Sequence, residues 1–311
     1  MNGSSVSPRA AAFARDGAVV VRGALTAAQV ELAAIGIEQV LAHPSPLAVT
    51  ASTADDPGRF VEDFRTWREV PEIESLALDP GLGALAAELM GSPTARFYHD
   101  HVLVKEAGTR QRTPWHQDLP YFNIDGTQNV SFWIPVDPVP RDASLEFVAG
   151  SHLGQWCTPR TFMDQVAKWF PEGTLAELPD IEAQRAADPD AVPILAWDLE
   201  PGDLVAFHML TIHGAAGFAG PGRRRVLSLR YTGADAVHAP RQWRTSPPFP
   251  ELTGPAGPTD PTEPTGPTAR AGADGRARPL AAGAPLDHPL FPIVYPEPAP
   301  APTPAPGHTP A

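Results

Sequence analysis

Apolar and polar positions change their period along this chain. Residues 12–22, AFARDGAVVVR, read as the end of a short helix, an Asp-Gly turn and a strand. The stretch LTAAQVELAAIGIEQVLAH follows, with Thr26 three positions before Gln29. That is the spacing of a capping box, in which each side chain serves the other residue's backbone N–H. Leu32, Ile35, Ile37, Val40 and Leu41 then recur near the helical period and predict an amphipathic helix. A second helix is predicted over Pro80–Met90, stopped by Gly91. From Arg96 the period falls to two. In RFYHDHVLVKE the alternation puts Phe97, His99, His101, Leu103 and Lys105 on one face of a strand. NVSFWIPVDPV, ASLEFVAGSH, LVAFHMLTIH and RRRVLSLRYTG read as further strands, separated by Pro-, Asp- and Gly-rich turns. Short strands punctuated in this way, after helices, predict an antiparallel sandwich or barrel with flanking helices.

Two regions break the pattern. Residues 154–193 are long for a β connection, and their Trp156, Phe162, Trp169 and Phe170 argue against plain disorder. A partly helical lid is expected there, with a surface insertion packed on the sheet as the alternative. Residues 252–283 are Pro, Gly, Thr and Ala in low-complexity array, too poor in apolar surface to offset the entropy of ordering. Disorder is expected. PLDHPLFPIVYP, inside a segment 284–297, regains apolar content and is expected to dock on the core, before a flexible Pro/Ala-rich tail at 298–311. The expectation is one domain over residues 1–251 that carries the insertion.

Composition narrows the partners. The net charge of −13 over 311 residues opposes sequence-independent nucleic-acid binding, which needs a basic surface, and disfavours an anionic membrane surface. A small molecule is the expected partner; the oligomeric state is not readable. With a single cysteine, Cys157, there is no internal disulfide, which suits a reducing compartment. Nothing adjacent in sequence activates that thiol as a nucleophile. No secretory h-region and no apolar run of about 18 residues is found, so the expectation is a soluble, cytoplasmic protein.

The candidate chemistry lies in TPWHQDLPYF, where His116 and Asp118 form a His-x-Asp pair. Alone it is weak, since a chain this rich in Asp and His produces the pair by chance. On a strand edge, residues i and i+2 point to one side, so both could reach one ion. A later strand ends at His213-Gly214. Two histidines and one carboxylate make the facial triad of non-haem Fe(II), which leaves three coordination positions open. Eleven residues beyond His213 stands Arg224, whose guanidinium fork matches a carboxylate.

These segments together resemble the phytanoyl-CoA dioxygenase family of Fe(II)/2-oxoglutarate-dependent oxygenases. The resemblance runs through FARDGAVVVRGALT, TPWHQDLPYF, SFWIPVDPV, LEFVAGSH, PGDLVAFHMLTIHGA and RRRVLSLRY, over roughly residues 10–250. It implies a double-stranded β-helix, the jelly-roll form of the β-sandwich. It also implies Fe(II) as cofactor on His116, Asp118 and His213, with 2-oxoglutarate and O2 as co-substrates. Arg224 matches the arginine that pairs with the distal carboxylate of 2-oxoglutarate. Trp133, His101 and Thr113 match co-substrate pocket positions. Tyr121, Phe122 and Asn123 after the metal motif, with Trp156 and Trp169 of the insertion, are candidates for substrate contact, against the alternative of aromatics packing on the sheet. The implied activity is hydroxylation of a small organic substrate with release of succinate and CO2. Alternatives are desaturation, cyclisation or epimerisation by the same oxidant, or a pseudo-oxygenase that binds without turnover. Asp118 leaves no vacant ligand position for a halide, which favours hydroxylation over halogenation. One departure bears on the co-substrate. Ala215 stands where some relatives have a serine two positions after the distal histidine.

Strand parity separates the competing residues. His99 and His101 with Glu106 mimic part of a cupin metal motif, but the flanking glycines are missing, and a packed core histidine is the default for His99. His208 is five residues before His213 and should face the other way. Arg223 and Arg225 should point away from Arg224, toward solvent or acidic partners. Arg230 shares the parity of Arg224 and could meet a buried carboxylate.

Overall fold

Gly17 adopts φ 78° as the C-cap of helix α1 (Pro8–Asp16), a left-handed conformation that suits glycine, and turns the chain directly into strand β1 (Ala18–Val21). In the computed structural model, which describes residues 6–159, 175–253 and 279–296, the Thr26/Gln29 capping box is formed and opens α2 (Ala27–Ala42). The buried face of α2 is Ala33, Gly36, Ile37 and Val40. Ile35, read as part of the apolar stripe, is 41% exposed. It is off the stripe because the helix lies on the small residues: a side chain at Gly36 would meet Ile73 of α3 (Pro71–Ala77) at 2.7 Å. Helix α4 runs over Pro80–Met90, with Asp79 as N-cap and a left-handed Gly91 at its end.

The strands are β2 (Val49–Thr50), β3 (Phe60–Phe64), β4 (Ala95–Glu106), β5 (Thr113–His116), β6 (Ile124–Asp125), β7 (Asn129–Pro135), β8 (Leu145–Val148), β9 (Ile194–Leu195), β10 (Leu204–Phe207), β11 (His213–Ala215), β12 (Arg223–Thr232), β13 (Val237–His238) and β14 (Ile293–Tyr295). One sheet has the order β1-β10-β7-β12-β4-β3-β2, with β14 also on β4. A smaller one runs β5-β11-β8-β9. All of these pairings are antiparallel. The outer face of the large sheet packs on the helices through Val102, Val104, Phe132, Leu227 and Leu229. Its inner face meets the small sheet through Trp133, Val205, Phe207 and Val226 against Leu145, Phe147 and Ala215. This is the jelly-roll sandwich, and the site lies between its sheets.

Three details depart from simple alternation. Between Tyr231↔Phe97 and Arg230↔His99, β4 advances two residues while β12 advances one. The bulge at Tyr98 therefore sends Phe97 to the helix side, whereas His99, His101 and Leu103 face the interior cavity. Phe97 does not share the face expected for it, because a bulge inverts parity. The stretch LVAFHMLTIH is not one strand: it breaks after Phe207, and β10 and β11 belong to different sheets. In the 154–193 insertion, residues 160–174, Trp169 included, lie outside the described residues. The part described contains helix α5 (Ile181–Ala187). Ile181 packs with Trp115, Val148 and Ile212, and Arg185 of α5 pairs with Glu146.

The C-terminal segment 280–296 closes the far end. Leu286 and Phe291 join Tyr98, Leu119, Phe122, Ile124 and Phe249 in one buried cluster. Val294 packs where a Cβ on Gly83 would come within 2.6 Å of it, so the glycine in α4 makes room for β14.

Candidate metal and co-substrate site

His116, the last residue of β5, pairs in register with His213, the first of β11. The two imidazoles are direct cross-strand neighbours, with ring centroids 4.2 Å apart. Asp118 is not on the strand. Its φ −74° and ψ −46° belong to the short 3-10 turn that follows, so a turn, and not strand alternation, swings the carboxylate back. Its Oδ1 lies 3.4 Å from His116 Nε2 and 3.8 Å from His213 Nε2. The backbone directs both rings alike: Nδ1 of His116 meets the Pro114 carbonyl at 2.8 Å, and Nδ1 of His213 meets that of Thr211 at 2.9 Å. An Nδ1–H donated to a carbonyl leaves Nε2 as the free lone pair. The three donor atoms lie within 4.8 Å of one another, and all three residues are buried. Two imidazoles and one carboxylate converging in this way fit a divalent metal with an open face.

The triad opens onto a cavity of about 240 Å³. Thr113, His101, Trp133, Arg224, Tyr121 and Phe122 line it as well. Arg224 is 2% exposed. Its guanidinium lies 5.5 Å from the Trp133 ring centre and donates to the Ala143 carbonyl. Among the described residues its Nε has no hydrogen-bond partner, and neither has Ser228 Oγ, which also lines the cavity. Such orphaned donors beside a buried cation fit a carboxylate ligand.

A model of the phytanoyl-CoA dioxygenase (PhyH) family matches residues 13–226. The chain belongs to this family. It is 26% identical over 266 residues to the ectoine dioxygenase of Sphingopyxis alaskensis, covering 78% of this chain and 83% of that protein. To a "Probable phytanoyl-CoA dioxygenase" of Caenorhabditis elegans it is 22% identical over 200 residues, 61% of this chain and 60% of that protein's length. Among solved structures, the epimerase SnoN of nogalamycin biosynthesis, in complex with Fe3+, alpha ketoglutarate and nogalamycin RO, has a TM-score of 0.68 at 24% identity, covering 94% of this chain and 99% of that one. The carbocyclase SnoK from the same biosynthesis has a TM-score of 0.62 at 22% identity, covering 94% and 96%. These likenesses show the shared fold. Enzymes of the PhyH family use Fe(II), 2-oxoglutarate and O2, and the buried His116, Asp118 and His213 of this chain fit such an iron.

The family fold does not bring every expected residue to the cavity. Asn123 is buried with its Oδ1 accepting from the Tyr98 hydroxyl at 2.7 Å, so it braces the loop. Trp156 packs in the cluster under that loop, 5.0 Å from the Arg241 guanidinium. Neither lines the cavity. Both face away because the 237–249 segment holds the loop from behind, through Arg241 to the Phe122 carbonyl and the Ser246 N–H to the Tyr121 carbonyl. His99 lines the cavity but stands outside the metal cluster, and Glu106 turns outward to Arg59. His208 bonds the Thr127 carbonyl. Arg223 and Arg225 pair with Glu38, and Arg225 also with Asp137. Cys157 is buried, and burial pushes its thiol up. No helix among the described residues is long and apolar enough to cross a membrane.

Arg230 does meet a buried carboxylate, that of Asp118. Its Nη2 and Nε lie 3.1 and 3.3 Å from Oδ2, and Ser131 Oγ is 3.4 Å from the same oxygen. Oδ1 is thus left toward the histidines while Oδ2 is held. Burial works to raise the Asp118 pKa, but Arg230, His116 and His213 hold it well below the usual carboxylate range. Gln117, between the two motif residues, donates to the Leu210 carbonyl and accepts from the Cys157 N–H. It ties the motif to the turn before His213. Sequence reading missed Gln117 and also Glu62, whose signal was a charge in the alternating FVEDF.

Burial lowers the pKa of four interior histidines: His213 to about 3, His208 to about 4, and His99 and His101 well below the ordinary range. They stay neutral in the fold, while the unfolded chain would take protons on them below about pH 6.5. Burial raises Glu62 to about 7, which opposes this by one proton. Toward pH 5.5 unfolding should therefore take up protons, and the stability of the metal-free protein should fall as the solution is acidified. Urea midpoints at pH 7, 6 and 5.5 check this. A flat profile would mean that the imidazoles are already protonated or solvated in the fold.

Proposed function

We propose that the chain is an Fe(II)/2-oxoglutarate-dependent hydroxylase of a small organic substrate. The observation that carries this reading is the convergence of His116, Asp118 and His213 at one end of a buried cavity that also holds the Arg224 guanidinium. Iron would sit on Nε2 of the two histidines and Oδ1 of Asp118. Arg224 would hold the distal carboxylate of 2-oxoglutarate, with Trp133, Thr113, His101 and Ser228 shaping that end. Iron, 2-oxoglutarate and O2 together supply the oxidant that removes hydrogen from the substrate, with succinate and CO2 as products. The protein orients these groups and excludes water. Tyr121 and Phe122 line the cavity from the loop after the metal motif and are the substrate contacts this reading retains. The carboxylate ligand leaves no position for a halide. A second reading is favoured by the similarity to an epimerase and a carbocyclase: the same oxidant used for epimerisation or ring closure.

Succinate release from the iron-loaded protein, screened against a metabolite library, tests the class. Product analysis separates hydroxylation from the second reading. Iron bound without succinate under any compound would instead support a binding protein without turnover. Arg224→Ala should raise the KM for 2-oxoglutarate by about 100-fold or more, the loss expected for a buried charge pair, while iron binding is retained. Loss of iron in that variant would mean that the arginine supports the metal shell or the fold.

A further inference from the structure

The inner face of the large sheet is divided across its strands. Arg224 on β12 pairs in register with Lys105 on β4, and Lys105 with Phe60 on β3. One row along, Val226, Leu103 and Glu62 are aligned in the same order. Glu62 therefore stands two strands from the Arg224 strand, roughly 10 Å across the sheet, toward the edge formed by β2. It lines the cavity with Val49, Ala51, Phe64, Leu103 and His101. Glu62 is 4% exposed, yet no hydrogen bond from the described residues reaches Oε1. His101 Nε2 is 3.2 Å away, and that nitrogen has no hydrogen-bond partner among the described residues either. Neither nearby cation serves the carboxylate. Lys105 Nζ donates to the carbonyls of Gln111 and Ala216, and Arg230 is held by Asp118. A buried acceptor without a hydrogen-bond partner among the described residues is costly to keep, and this one stands beside His101, two strands from Arg224.

We propose that Glu62 is a specificity-determining residue, which accepts a hydrogen bond from a hydroxyl or ammonium group of the substrate. The compound oxidised then carries such a donor on an otherwise apolar body that packs against Phe64, Val49 and Leu103. This rests on the oxygenase reading only in locating the co-substrate at Arg224.

The test uses full-length protein loaded with Zn(II) and 2-oxoglutarate, so that binding is measured without turnover. Cyclohexanol, cyclohexylamine and methoxycyclohexane are the probes, and wild type, Glu62→Gln and Glu62→Leu are compared by calorimetry. Wild type should bind at least one donor probe about tenfold or more tighter than methoxycyclohexane. Glu62→Leu should erase that preference while keeping methoxycyclohexane and the affinity for 2-oxoglutarate. In Glu62→Gln, retained cyclohexanol preference assigns a hydroxyl, and loss of cyclohexylamine alone assigns an ammonium. The amide variant carries the test if the leucine variant does not fold. The proposal is overturned if donor probes bind wild type no better than the ether, if the preference survives in Glu62→Leu, or if that variant weakens 2-oxoglutarate tenfold, which would put Glu62 at the co-substrate end. A wild type that binds iron and 2-oxoglutarate but never releases succinate would count against the oxygenase reading and leave this binding result standing.

Discussion

Asp118→Ala is expected to abolish iron binding and succinate production together, and to destabilise the fold. The first effect follows from the donor set. Without Oδ1, the centre keeps two imidazoles 4.2 Å apart and no anionic ligand. Losing even an outer-shell partner lowers metal affinity by about 10- to 100-fold, so loss of a ligand should exceed about 100-fold. The second effect follows from Arg230, whose Nε and Nη2 rest on Oδ2 and which is 5% exposed. Removing one partner of a buried pair strands the other charge, at about 3–5 kcal/mol. Asp118→Asn separates the two effects. Its amide oxygen can still accept from Arg230, so it should fold close to wild type yet lose most of its iron affinity. Iron titration and urea unfolding on both variants read this directly. An alanine variant that keeps both iron and stability would remove Asp118 from the centre.

Deleting residues 280–311 should cost the protein its fold, although those residues lie far beyond the metal motif in sequence. Leu286, Phe291 and Val294 are 1%, 0% and 3% exposed. At about 1.5–3 kcal/mol for each large side chain buried, the three together contribute roughly 5–9 kcal/mol. That rivals the net stability of a typical domain, about 5–15 kcal/mol. The segment also extends the sheet beside β4, where Ile293 pairs with Arg96 and the Pro292 carbonyl accepts from the Phe97 N–H. Its cluster carries Leu119 and Phe122, which flank the metal motif. The deletion should give insoluble protein, or a Tm lowered by more than about 10 °C given the few degrees that each kcal/mol is worth. A truncated chain with unchanged Tm and succinate release would show that the strap is dispensable.

Much of the site was legible because its markers are local. His-x-Asp is one short motif, and Arg224 lies eleven residues after His213 on the next strand, β12, where alternation turned Arg223 and Arg225 outward. The capping box at Thr26 and the glycine stop at Gly91 are equally local, each resting on one or two hydrogen bonds within a turn. Readings failed where a single residue breaks the period. The bulge at Tyr98 moved Phe97 to the helix side, and the turn at 208–212 split one expected strand between two sheets. Asn123 and Trp156 sit close to the motif in sequence, but the 237–249 segment holds them from behind, and no local pattern announces that.

The amino-acid order alone determined which residues can bind a metal, which strand faces are apolar, and where helices start and stop, since periodicity, capping and side-chain chemistry act over a few residues. The tertiary structure alone decided that His116 and His213 are cross-strand partners, that Arg230 rather than solvent takes the second oxygen of Asp118, that Glu62 reaches the same cavity, and that β14 belongs to the core. Those outcomes depend on register between strands up to about two hundred residues apart, and register is set by the packing of whole faces.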